Sequence, residues 1–182
     1  LIGRRTLTSE QAKVFRQMLS ARDGLEPPGE NTLATMLGSS APITVLEIAD
    51  SGTVGLSGSV RADEPVGNES SRFIDFFFDV GKGHSDSGDG GTYGFGRSSL
   101  YLMSRAHSIV VDTLVRHRGV LERRVMASRI GPSFEIRTGR HRGRYSGRHF
   151  WGVAEAETVV PLTGNEAERT AGQLGLPTRD GG

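Results

Sequence analysis

The chain has 182 residues, enough for one domain with a substantial core and short for two. Its 22 Lys and Arg nearly cancel its 21 Asp and Glu, and a formal charge of +1 excludes any global attraction to nucleic acid, so such a role must rest on a local patch. The absence of cysteine excludes disulfides and Cys-ligated zinc, and with no long apolar run and no apolar leader the expectation is a soluble, cytoplasmic protein that does not span a membrane.

With 26 glycines and a hydrophobic fraction of 35%, a folded domain carrying several long loops is expected. Thr8, Ser9 and Glu10 ahead of QAKVFRQMLSA predict a capped helix whose apolar stripe is Val14 and Met18, joined by Phe15 and Leu19. GLEPPGE breaks it, and residues 30–37 predict a second short helix ended by Gly38. Pro42 opens ITVLEIA, where Ile43, Val45 and Ile48 predict a buried strand. FIDFFFDV has four phenylalanines in six positions and reads as core, either helix or strand, because the period is too short to decide. No basic residues interleave these rings, which argues against a nucleic-acid stacking surface. A helix is predicted over 95–105 with Leu100 and Met103 inward. HSIVVDTLV and GVLERRVMA predict an antiparallel hairpin turning at 116–119, and SFEIRT with HFWGVAEAETVVPL supplies one or two further strands. Thr163 is expected to cap a last helix with Ala167, Ala171 and Leu174 as its stripe, closed by Gly175 and Pro177. These elements form one α/β domain over 1–182 with a mixed, largely antiparallel sheet, expected to be incomplete at both ends because it opens at Leu1 and stops in TRDGG.

The strand over ITVLEIA delivers Asp50 into DSGTVGLSG. A carboxylate at a strand mouth, followed by Gly52 and Gly55, suits a ligand site, while the plainer alternative is an Asx-turn capping the strand. Further on, residues 81–96 place seven glycines in sixteen positions and run into a helix. Glycines permit tight turns and close backbone approach, and a helix start offers unpaired N–H groups and a positive dipole end, so a phosphate-bearing ligand is expected there. Arg97 stands where a P-loop needs Lys, and the cluster follows a polar loop rather than a strand, so neither a Walker motif nor a dinucleotide fingerprint is present.

Together the two segments resemble the ATP-binding signatures of the GHKL, or Bergerat-fold, ATPases, which include Hsp90-type chaperones, gyrase B subunits, MutL mismatch-repair proteins, sensor histidine kinases and MORC-type ATPases. The resemblance is strong over about residues 43–115. It implies a two-layer α/β sandwich that binds ATP with Mg2+. Asp50 would accept the adenine amino group, directly and through water, with Gly52 and Gly55 letting the backbone pass close to the base. Gly55 stands one residue later than the family's D-x-G-x-G pattern has it. Gly91, Gly94 and Gly96 match the family's G-x-x-G-x-G phosphate motif, with Phe95 inside it and Arg97, Ser98 and Ser99 at the helix start. The loop over about 81–94 resembles the lid that closes over ATP, and closure would gate a homodimer or a larger machine.

The family's helix with a catalytic Glu and a magnesium-binding Asn has no counterpart. Glu30 and Asn31 are adjacent, and adjacent helical side chains point about 100° apart, so they cannot serve as that pair. That helix is expected to precede Leu1, and no catalytic residue is assigned. Thr158 and Thr163 are poor matches to the Thr that the family keeps late in the domain. Two other functions compete. A histidine-kinase phosphotransfer domain would need a His on an early helix, and neither has one. A nucleic-acid-binding module would use the basic stretch 137–149, where Arg140, Arg142, Arg144 and Arg148 surround Tyr145; otherwise this stretch is an exposed loop paired with acidic residues. A DNA or DNA-processing partner is therefore kept as an expectation. The five histidines lack metal-ligand spacing, and Asp86 with Asp89 lack the other oxygen ligands of a calcium loop.

Overall fold

A computed structural model describes residues 1–20, 32–64, 70–79, 95–139, 141–156 and 158–178. They form a mixed α/β structure of several small antiparallel sheets and five helices. The chain opens with β1 (Ile2–Thr6), which pairs antiparallel with β2 (Thr44–Ile48). IGRRT has no apolar alternation, which is why β1 escapes a search by pattern. β2 departs from the buried strand expected: with β1 its only partner among the described residues, Leu46 and Ile48 stay exposed, and Ile43 just ahead of it reaches the core beside Leu7 and Ala12, with Val45 partly buried against them.

Between these strands lie α1 (Ser9–Leu19) and α2 (Thr32–Gly38). The cap of α1 is as expected in kind: Gln11 N–H donates to the Thr8 hydroxyl while the Gln11 side chain accepts from Thr8 N–H. Its buried stripe is Ala12 and Leu19 with Phe15 and Met18 alongside, so Val14 is off the packed face. The phenylalanine run is helical in α3 (Arg72–Phe77), where the four-residue spacing stacks Phe73 on Phe77 with centroids 4.8 Å apart. α4 (Phe95–Leu102) is shorter than expected; Tyr101 is its buried residue and Met103 faces outward.

β3 (Ser108–His117) and β4 (Val120–Ile130) pair along their whole length. Arg118 and Gly119 turn the chain with φ of 50° and 84°, the left-handed pair that matches the twist of a two-residue hairpin. Six short strands follow where one or two were expected: β5 (Phe134–Thr138), β6 (His141–Tyr145), β7 (Arg148–Trp151), β8 (Val153–Glu155), β9 (Thr158–Val160) and β10 (Leu162–Thr163). At two to five residues each, they are too short to show a period. The basic stretch 137–149 thus runs from the end of β5 through β6 into β7 rather than forming a plain loop. α5 (Gly164–Leu174) buries Ala167, Ala171 and Leu174 as expected and ends at Gly175 with φ of 68°. Thr163 occupies its N-cap position, but its side chain makes no capping bond.

β4 is the centre of the molecule. Residues 123–129 are all buried, which in an alternating strand requires cover on both faces. Val125 packs on Ala167 and Ala171 of α5, and Ala127 on Leu19 and Leu33 of α1 and α2. On the opposite face Met126 packs on Phe73 and Phe77, and Ser128 bonds Tyr101 of α4 at 2.6 Å. Instead of one mixed sheet, β4 carries β3 on one edge and β10 and β7 in succession on the other, all antiparallel.

Candidate functional site

Asp50 lies two residues past the end of β2, exposed, with the Thr53 hydroxyl donating to its carboxylate at 3.4 Å. The turn it opens is fixed by glycines in two different ways. Gly52 has φ of 74° and open space around its Cβ position. Gly55 has φ of 64° and no space, since a Cβ would sit 2.6 Å from the Leu114 carbonyl oxygen and 2.7 Å from the Thr113 hydroxyl of β3. The turn is therefore pressed onto β3 at Gly55 and stands open at Gly52.

Thr113, Arg124 and Phe73 hold it further. Leu56 N–H donates to the Thr113 hydroxyl at 3.1 Å. Arg124, fully buried in β4, donates to the carbonyls of Leu56 at 3.2 Å and Gly58 at 2.8 Å, pairs with Glu122 at 2.6 Å, and lies over the Phe73 ring 5.7 Å from its centroid. Phe73 N–H, at the start of α3, donates to the Ser57 carbonyl at 3.2 Å. Sequence reasoning missed Thr113 and Arg124. The signal was there in Arg123-Arg124 ahead of the apolar Val125-Met126-Ala127, because alternation sends the two to opposite faces and a buried guanidinium must find acceptors.

Arg123 on the other face shows the same rule. It forks onto Asp112 at 2.7 and 2.9 Å and reaches Glu168 of α5 at 2.8 Å and the Pro177 carbonyl at 2.9 Å. The bond from Asp112, opposing burial, raises its pKa further above the usual arginine value.

Of the segment expected to hold phosphates, Gly91 and Gly94 lie outside the described residues, as do the loop 81–94, Glu30, Asn31 and Arg140. Phe95 and Gly96 open α4, Ser98 is half-buried one turn in, and Arg97 donates to the Asp75 carbonyl of α3. α3 thus touches both candidate segments, accepting Arg97 from the helix start and donating to the Asp50 turn at Ser57. Among the described residues no group of three His, Asp or Glu could hold a metal ion, and no helix is long and apolar enough to cross a membrane. Thr158 and Thr163 are strand residues of β9 and β10.

The basic stretch divides. Arg148 donates to the Phe78 carbonyl at 2.7 Å, whereas Arg142 and Arg144 are exposed on β6. His149 lies between Phe134 and Trp151, with ring centroids 6.1 and 6.0 Å away, and opposite Arg129 in the register of β4 and β7. Burial first, then the Arg129 charge, lowers the His149 pKa below its usual value, and burial lowers that of Arg129.

No protein-family model matches the chain, and no curated protein or solved structure matches it either.

Proposed function

We propose that the chain is the ATP-binding domain of a GHKL-type ATPase, which in the intact protein hydrolyses ATP to ADP and phosphate. The observation that carries this reading is the turn 50–58: an exposed carboxylate above a glycine with open space, on a backbone clamped to β3 and β4. An Asx-turn that merely ended β2 would need neither the close approach at Gly55 nor a buried arginine reserved for its carbonyls. A carboxylate acceptor beside open space, at the rim of a clamped turn, suits a planar base with an amino group, and adenine has that chemistry.

In this reading Asp50 accepts from the adenine amino group and the backbone at Gly52 passes beside the ring. The N–H groups at the start of α4, where the helix dipole is positive, face the phosphates with Ser98. Arg97, engaged with Asp75, braces α4 against α3. The Bergerat fold that accompanies this reading would have β3 and β4 at its centre, with only one of the two helical layers that cover β4. Its usual magnesium ion finds no set of protein ligands among the described residues, so no catalytic step is assigned through it. Titration of the full chain with a hydrolysis-resistant ATP analogue tests the proposal: saturable binding, lost in Asp50→Asn and weakened in Gly94→Ala, is expected. Absence of binding, or equal binding by both variants, overturns it.

A further inference from the structure

The β5–β6 hairpin has two unlike faces. Phe134 lies opposite Tyr145, Glu135 opposite Arg144, and Arg137 opposite Arg142. Alternation therefore puts Phe134, Ile136 and Tyr145 on one face and Glu135, Arg137, Arg142 and Arg144 on the other. The first face is anchored: Phe134 is buried, stacks on Tyr145 at 5.4 Å and on His149 at 6.1 Å, and β7, which carries His149, is bonded to β4. The second face is exposed. Its one acid, Glu135, is engaged by Arg137 at 3.0 Å, and among the described residues no ion pair joins Arg142 or Arg144 to a carboxylate. An open groove of about 660 Å³ lies along these residues.

We infer that this face docks into the major groove of double-stranded DNA. Three arginines against one glutamate make a local surplus of two positive charges on a chain whose total charge is only +1, so the attraction is a local one. The major groove of B-form DNA, about 12 Å wide, admits a two-stranded ribbon, and guanidinium forks suit both phosphates and the guanine edge. The major groove of duplex RNA is too narrow for it. Anchoring through the aromatic face fixes the ribbon backbone, so the ordering cost at binding falls on the arginine side chains alone. This inference is independent of nucleotide binding.

Fluorescence anisotropy of the full chain with a labelled DNA duplex of mixed sequence and no nucleotide, between about 50 and 200 mM salt, tests it. Binding should weaken steeply with salt. The R142A/R144A double variant should lose at least about tenfold in affinity at low salt and reduce the logarithmic salt slope by about 2. The R142K/R144K variant, which keeps the charge, should keep the slope. Asp50→Asn should bind DNA as the parent does, which separates this inference from the ATP proposal. No binding at low salt, an unchanged slope in the alanine variant, a slope lost in the lysine variant, or equal affinity for duplex RNA overturns the inference.

Discussion

Gly52 and Gly55 share a left-handed backbone but differ in surroundings, and under the proposed function that difference separates a structural glycine from one beside the ligand. An alanine at either position meets the left-handed penalty of about 1–2 kcal/mol. At Gly55 the added methyl also collides with the Leu114 carbonyl, so Gly55→Ala should destabilise the fold well beyond Gly52→Ala. Gly52→Ala places its methyl in open space, where it should cost little stability past the backbone term yet obstruct the base. Denaturant unfolding set beside nucleotide titration checks both, and the expected pattern is a stability defect dominated by Gly55 and a binding defect at Gly52 in a folded protein.

At the same scale, His149 sets a pH dependence. Its folded pKa lies below the usual histidine value near 6.5, so as pH falls through that value the unfolded chain takes up a proton before the native state does. Stability is therefore full above about pH 6.5 and is lost progressively as pH falls toward the depressed folded pKa. Melting temperatures measured across this range should fall with pH in the parent and fall less in His149→Phe, which keeps a ring between Phe134 and Trp151 but cannot titrate.

Among the elements, the clamp from β4 to the turn at 56–58 is the most exacting. Arg124→Met keeps an apolar stem over Phe73 but leaves two carbonyls and Glu122 without their donor, for an expected loss on the order of 3 kcal/mol in denaturant unfolding and a weaker hold on nucleotide. The long β3–β4 hairpin, the capping box at Thr8 and the α5 stripe were legible in sequence because each rests on a local rule: alternation around a Gly turn, a side chain three residues from its partner, or small residues one turn apart. What was not legible depends on distant partners. β1 needs β2 to be a strand at all, Ile48 looks buried until its single neighbour is known, and the helical state of FIDFFF follows from Phe73 and Phe77 both meeting Met126. The site divides the same way. Asp50 and its glycines could be read from spacing, whereas Thr113 and Arg124 lie 57 and 68 residues from the backbone atoms of Leu56 that they hold.

Over the whole molecule, β4 joins two packed halves through opposite faces. Arg123 ties α5 and the chain beyond it to β3, while Arg124 ties the Asp50 turn and α3 to the same strand. The clamped part of the turn, residues 55–58, is therefore seated on the most buried strand of the molecule while residues 50–54 stand exposed, and β4 has helices on both faces where a two-layer sandwich has them on one. The central claim is that Asp50 reads an amino group on the base. Equilibrium titration of the full chain with hydrolysis-resistant analogues of ATP and of inosine triphosphate, which carries a carbonyl in place of that amino group, tests this most directly. The adenine analogue should bind tighter by at least about tenfold and Asp50→Asn should remove the preference; equal affinity of the parent protein for the two analogues would contradict the claim.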